Sequence, residues 1–138
     1  MKLNKKQGFT LLEIIVVIII VGVLASLALP RLFSTIETTR GGEASRAIGV
    51  IRGAMERCYL QGNQAYTGCT ISVLDIDDPG TMPGAHFGYA VSVTGAQTYT
   101  VTATRNSTEG GSTSDFIRFT QTTAGVTRTG SGAFSGVK

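Results

Sequence analysis

The residues able to do chemistry are few and widely spaced in this chain of 138 residues: one histidine, two cysteines and nine carboxylates. His86 opens an alternating apolar and polar stretch with no nucleophile and base arranged around it, so it reads as a surface or strand-edge residue and the chain as a non-enzyme. "DIDDPG", Asp75 to Gly80, offers the oxygen donors that Ca²⁺ prefers, but the EF-hand spacing is missing and Pro79-Gly80 already accounts for a turn. "NST" at Asn106 fits the N-glycosylation acceptor pattern, a triplet that threonine-rich sequence also produces by chance. No metal and no cofactor is expected. The carboxylate in the most unusual setting is Glu13, within "KKQGFTLLEIIVV". In a lipid interior it costs about 2.5 to 3.5 kcal/mol on mild insertion scales, so it implies a partner. If the chain is cut between Gly8 and Phe9, the new Phe9 ammonium lies one helical turn away, and it can be neutralised by its own or a neighbouring chain's carboxylate.

The element that must carry Glu13 is an apolar helix. From Phe9 to Leu29 only Thr10, Glu13 and Ser26 interrupt the apolar and glycine residues, and a run of this length at about 1.5 Å per residue reaches about 30 Å, the hydrocarbon thickness of a bilayer. Its β-branched residues would suit a buried strand in water, but in lipid a single segment satisfies its own backbone only as a helix. Lys2, Lys5 and Lys6 precede it and hold the N-terminus in the cytoplasm, sending the chain beyond Leu29 outward. The formal net charge of +3 comes from these lysines, since removing residues 1–8 leaves nine basic against nine acidic residues. A basic nucleic-acid footprint is therefore discounted. Ala25 to Ala28 has an A-x-A look that fits a cleaved secretory signal, but that reading leaves Glu13 unexplained, and a plain signal anchor would need Glu13 to snorkel to the headgroups.

"KKQGFTLLE" followed by an apolar helix resembles the leader of type IV pilins and type II secretion pseudopilins. The resemblance covers residues 5 to about 33. It implies cleavage after Gly8 by a prepilin peptidase, N-methylation of Phe9, and a role in assembly for Glu13, which sets register by pairing with the N-terminal amine of an adjacent subunit. Gly22 and Pro30 match the places where the family's helix bends or melts on packing. The partners implied are further copies of the chain in a helical homopolymer, the bacterial inner membrane before assembly, the peptidase and the assembly machinery. The final location implied is an extracellular filament.

Past Pro30 the pattern becomes amphipathic, with Leu32, Phe33, Ile36, Ala44, Ala47, Ile48, Ile51, Ala54, Met55, Cys58 and Tyr59 at helical spacing. "TRGGE" predicts a bend or brief break near Gly41, and Gly62 with Asn63 predicts a left-handed cap. Residues 63–138 are rich in Thr, Ser and Gly and read as an exported β domain. Phe87, Tyr89, Val91 and Val93, then Tyr99, Val101 and Ala103, alternate onto one face, with a turn near Gly95. "DFIRFTQTTAGVTRT" supplies a third strand and a fourth around Ala124-Gly125. Cys58 and Cys69 form an even pair in an exported domain and are expected to be bridged, with two free thiols or a site of two cysteines and one histidine as the lesser readings.

The expected fold is thus α+β, a long N-terminal helix whose amphipathic half packs on a small antiparallel sheet of three to four strands. The expected divisions are a leader (1–8), a membrane and filament-core helix (9–30), its amphipathic continuation (31–62) and the β domain (63–138). The expected function is a structural filament subunit, and no nucleic-acid partner is expected if the chain is a major one. The major pseudopilin of a type II secretion system is the nearest alternative, and a minor tip subunit serving adhesion or DNA uptake is a third.

Overall fold

A computed structural model describes residues 8–137. The leader lysines lie outside the described residues. One helix, α1, runs over Leu11–Gln61, and four strands come after it: β1 (Phe87–Gly95), β2 (Thr98–Arg105), β3 (Phe116–Thr122) and β4 (Gly125–Gly130). They form one antiparallel meander in the order β1-β2-β3-β4, so each strand pairs with its neighbours in sequence. The fold is the expected α+β arrangement, with the four-stranded sheet at the upper end of the expected range.

The chain divides into two units, residues 1–35 and 36–138. In the first, α1 is apolar and every described side chain is exposed, including Leu11 through Leu32. Such a surface is incompatible with water and suits lipid or the packed interior of an assembly. It is the one segment among the described residues that is a helix long and apolar enough to cross a membrane.

In the second unit, α1 buries a stripe of Gly41, Ala44, Ile48, Ile51 and Met55, with Ala54 beside it, at the alternating spacing of three and four that keeps one helical face inward. Against it lie Tyr99, Val101 and Ala103 of β2, Ile117 and Phe119 of β3, Phe87 of β1 and Phe134 of the C-terminal tail. The strand alternation read from the sequence holds through β1 and β2. Leu32, Phe33 and Ile36 differ from expectation. They are exposed at 54%, 64% and 37%, because the buried stripe begins at Gly41, where Phe134 and Ile117 meet the helix.

The helix is also unbroken at Gly41-Gly42, where a bend or break was expected. A Cβ at Gly41 would stand 3.0 Å from the Phe134 ring, so the missing side chain serves close packing of the tail on the helix. At the C-terminal end the left-handed residues are Asn63 (φ 55) and Gln64 (φ 59), one position later than the expected Gly62-Asn63 pair. The Gly62 amide still donates to the Cys58 carbonyl at 2.8 Å and the Gln64 amide to Tyr59 at 3.0 Å, which satisfies the carbonyls freed at the helix end. Cys58, in the last helical turn, is bonded to Cys69 in the adjoining loop, with Cα atoms 6.1 Å apart. This excludes free thiols and a cysteine-based metal site.

Candidate functional site

The N-terminal segment presents its features in the open. Gly8, Phe9 and Thr10 precede the helix, Gly8 has no neighbouring atom within 4 Å of where a Cβ would stand, and Phe9 is 81% exposed. Helix α1 begins at Leu11 because Thr10 caps it. The Thr10 hydroxyl accepts a hydrogen bond from the Glu13 amide at 3.2 Å, and the Thr10 carbonyl accepts from the Ile14 amide at 3.3 Å. Glu13 therefore sits in the first turn, where a carboxylate is favoured by the positive end of the helix dipole. Its carboxylate makes no ion pair among the described residues. Gly22 lies on an open surface within the helix. Pro30 also lies inside the helix, where it lacks the amide that would otherwise bond the Ser26 carbonyl. The nearby Ser26 hydroxyl donates to the Val23 carbonyl at 2.7 Å. Gly8, Phe9 and Glu13 are thus gathered within one turn of the helix start, and Gly22 and Pro30 are placed farther along the same element.

A second concentration of charge was not foreseen. Arg105 is fully buried and is held by Glu37 of α1, its Nε donating to Oε2 at 3.1 Å and Nη2 to Oε1 at 3.3 Å. Its remaining donors reach the carbonyls of His86 (3.1 Å), Asn106 (3.0 Å) and Thr108 (3.2 Å). Arg40 also pairs with Glu37 at 2.6 Å and with Glu109 of the β2–β3 loop. His86 lies between Glu43, 2.9 Å from its Nδ1, and Glu109, 3.3 Å from its Nε2. The hydrogen bond from Arg105 leads the causes that hold the Glu37 carboxyl below the usual carboxylate range. This cluster ties α1, the start of β1 and the β2–β3 loop together. His86 is therefore held between two carboxylates, linking α1 to the β2–β3 loop.

Arg105 was legible in one respect. It continues the inward register of Tyr99, Val101 and Ala103, and the Glu37-Arg40 spacing of three is a helical ion pair. Exposed near the end of the helix, Arg57 forms a two-pronged contact with Asp75 at 2.7 and 2.8 Å, which holds Asp75 below and Arg57 above their ordinary ranges. Asp78 caps the 3₁₀ turn Pro79–Thr81 by accepting from the Gly80 amide at 2.8 Å. Two of the three "DIDDPG" carboxylates therefore have structural work, and no cluster of metal-ligating side chains occurs among the described residues. Asn106 donates from its side chain to the Ala85 carbonyl at 3.1 Å, a bond that ties the acceptor nitrogen of the "NST" triplet to the fold.

Residues 3–29 match the family model described as the prokaryotic N-terminal methylation motif. The chain is 36% identical over 80 residues to the type II secretion system core protein G of Escherichia coli K12, covering 58% of this chain and 54% of that protein. It is 35% identical over 60 residues to the type IV major fimbrial protein FimA of Dichelobacter nodosus, covering 44% and 38%. Against core protein G of Pectobacterium carotovorum it is 42% identical over 60 residues, again covering 44% and 38%. The matched region spans about half or less of these relatives' own lengths. No solved structure matches. With a methylation motif leading into an exposed apolar helix and a four-stranded antiparallel sheet after it, the chain is similar over its N-terminal part to type IV fimbrial and type II secretion core proteins.

Proposed function

We propose that the chain is a structural subunit of a type IV pilus-like filament, held in the bacterial inner membrane by α1, cleaved after Gly8, N-methylated at Phe9 and polymerised through its N-terminal helix. The observation that carries this reading is the conjunction of an apolar helix with no buried residue in its first unit and one carboxylate, Glu13, in its first turn. A surface of that kind needs lipid first and other helices afterwards. In the assembled state the Phe9 ammonium and the Glu13 carboxylate, of the same or a neighbouring subunit, remove each other's cost. Gly22 and Pro30 weaken the helix ladder where assembly would bend it. The leader is residues 1–8, the filament-core helix 9–30, its amphipathic continuation 31–62 and the coat domain 63–138. The reading assigns the chain no catalytic chemistry and no nucleic-acid partner.

A second reading, the major pseudopilin of a type II secretion system, is supported by the relatives named core protein G. The two separate by where the polymer accumulates: a major pilin dominates filaments sheared from the cell surface, whereas a pseudopilin remains periplasmic. A tip subunit would be scarce in either fraction.

Electron microscopy of sheared material with intact-mass and N-terminal measurement tests the proposal. Filaments built from chains starting at methylated Phe9 are expected, and filament chains that start at Met1 or near Ser26 would overturn it. Glu13→Ala, expressed at equal membrane level, is expected to insert normally because a buried charge has been removed, yet to give few or no filaments. Normal filament yield would refute the role given to Glu13.

A further inference from the structure

Resting on the processing step just proposed, we infer that Thr10 is a positioning residue for leader cleavage: by capping α1 it stops the helix one residue short of Phe9 and so leaves the Gly8–Phe9 bond in open chain. "TLLE", Thr10 to Glu13, has the form of a capping box, in which a threonine at the cap and a glutamate three residues on serve each other's exposed amides. The structure shows the first half of that exchange, the Glu13 amide donating to the Thr10 hydroxyl. The Thr10 carbonyl meanwhile accepts the first helical bond from Ile14, which defines Thr10 as the cap position. Phe9 and Ile14 occupy the two positions of a hydrophobic staple around it. The result is visible immediately upstream, where Gly8 and Phe9 are outside the helix and unobstructed.

The physical consequence comes from where orphan amides lie. A helix start at a membrane boundary carries amides without carbonyl partners, and the depth of the apolar phase raises the cost of each. If no side chain accepts for them, the cheapest remedy is another turn of helix upstream, which would draw the Phe9 and Gly8 peptide groups into the ladder. A peptide bond inside a helix has its carbonyl engaged and its faces crowded, so a peptidase must first unwind it. The threonine hydroxyl removes that incentive and also places the Glu13 side chain at a fixed position after the cut.

The test uses the full chain in its own membrane, with maturation followed by pulse labelling and the mass loss of residues 1–8. Thr10→Val keeps the shape and removes the acceptor, whereas Thr10→Ser and Thr10→Asn retain a capping oxygen. Losing a cap is worth a factor of roughly five in the helix-start equilibrium, so Thr10→Val is expected to mature about five-fold more slowly, with Ser and Asn within about two-fold of the unsubstituted chain. Cleavage of Thr10→Val at the unsubstituted rate would overturn the inference. So would an Asn variant as slow as Val, since the peptidase would then be reading the threonine itself. Hydrogen exchange of the Glu13 amide in detergent micelles provides a readout independent of any peptidase: faster exchange in Val but not in Asn is expected, and unchanged exchange in Val refutes the cap. Failure of the unsubstituted chain to lose residues 1–8 would instead refute the processing step and the inference with it.

Discussion

A guanidinium sealed from water is tolerable only when its donors find acceptors, and Arg105 meets that condition with one carboxylate and three backbone carbonyls. Removing the partner of a buried ion costs more than the pair's net worth, because a charge is left behind without compensation. Arg105→Met removes the ion itself and leaves Glu37 to Arg40, so its cost lies in the three carbonyls that lose their donor, and it is expected to lower stability by about 3 kcal/mol, read as a shifted urea midpoint with unchanged slope. Glu37 adds a pH signature. Its carboxyl is held below the usual range in the folded protein, so the contribution it makes is present above the ordinary carboxylate value and is lost as pH falls through the lower, folded value. Melting temperature measured from pH 7 down to pH 3 should fall less steeply in Glu37→Gln than in the unsubstituted chain, and superimposable slopes would count against the pairing. Gly111 closes over the same guanidinium: a Cβ there would stand 2.6 Å from the Arg105 Cζ and would collide with the Asn106 carbonyl. Gly111→Ala should destabilise the β2–β3 loop even though its own backbone angles (φ −71, ψ 159) suit any residue. Period-two alternation places Arg105 on the inward face, but its partner lies 68 residues away, and a single sequence holds no sign of that pairing.

At the scale of elements, the helix was legible because one periodic signal after another pointed the same way, and the hairpins were legible because threonine and aromatic residues alternate cleanly. The glycines misled. A Gly-Gly pair reads as a weak point on propensity alone, and what overrides propensity here is the Phe134 ring lying against Gly41, a contact made by the far end of the chain. The place where the core begins along the helix was hidden for the same reason, since it depends on where the tail and β3 meet α1. The loop between α1 and β1 is fastened by the Cys58–Cys69 bond, by the exposed Arg57–Asp75 pair and by Tyr66, whose hydroxyl donates to Glu56 at 2.8 Å and whose ring packs edge-on against Tyr99. The covalent tie outweighs the others. On the chain-entropy account a loop of this length is worth about 3 kcal/mol, so replacing both cysteines by serine should lower the melting temperature by about 10 °C or more. The same loss should appear on adding reductant to the unsubstituted protein and should be absent from the double variant. A melting temperature indifferent to reductant would show that the bond constrains nothing.

For the whole molecule the decisive fact is that its apolar surface is divided between two solvents. The core of residues 36–138 is made by the helix stripe from Gly41 to Met55, the sheet and the tail, while the residues described before Ile36 bury nothing. Stability of residues 36–138 and, on the proposed function, capacity to polymerise should therefore be carried by different stretches of one chain. Truncation to begin at Ile36 tests that division. It removes the segment that demands lipid, and it leaves Glu37 in the new first turn, where its charge favours the helix dipole and its grip on Arg105 and Arg40 is retained. The fragment should be water-soluble, form the Cys58–Cys69 bond and melt cooperatively within about 5 °C of the full chain in detergent, since no core contact has been deleted. It should also form no filaments at any concentration, and added in excess it should not slow assembly of the full chain, because the helix proposed to drive polymerisation is absent. A midpoint lower by about 15 °C would mean that the apolar helix stabilises residues 36–138 after all, and filaments grown from the fragment would move the proposed assembly surface out of residues 9–35.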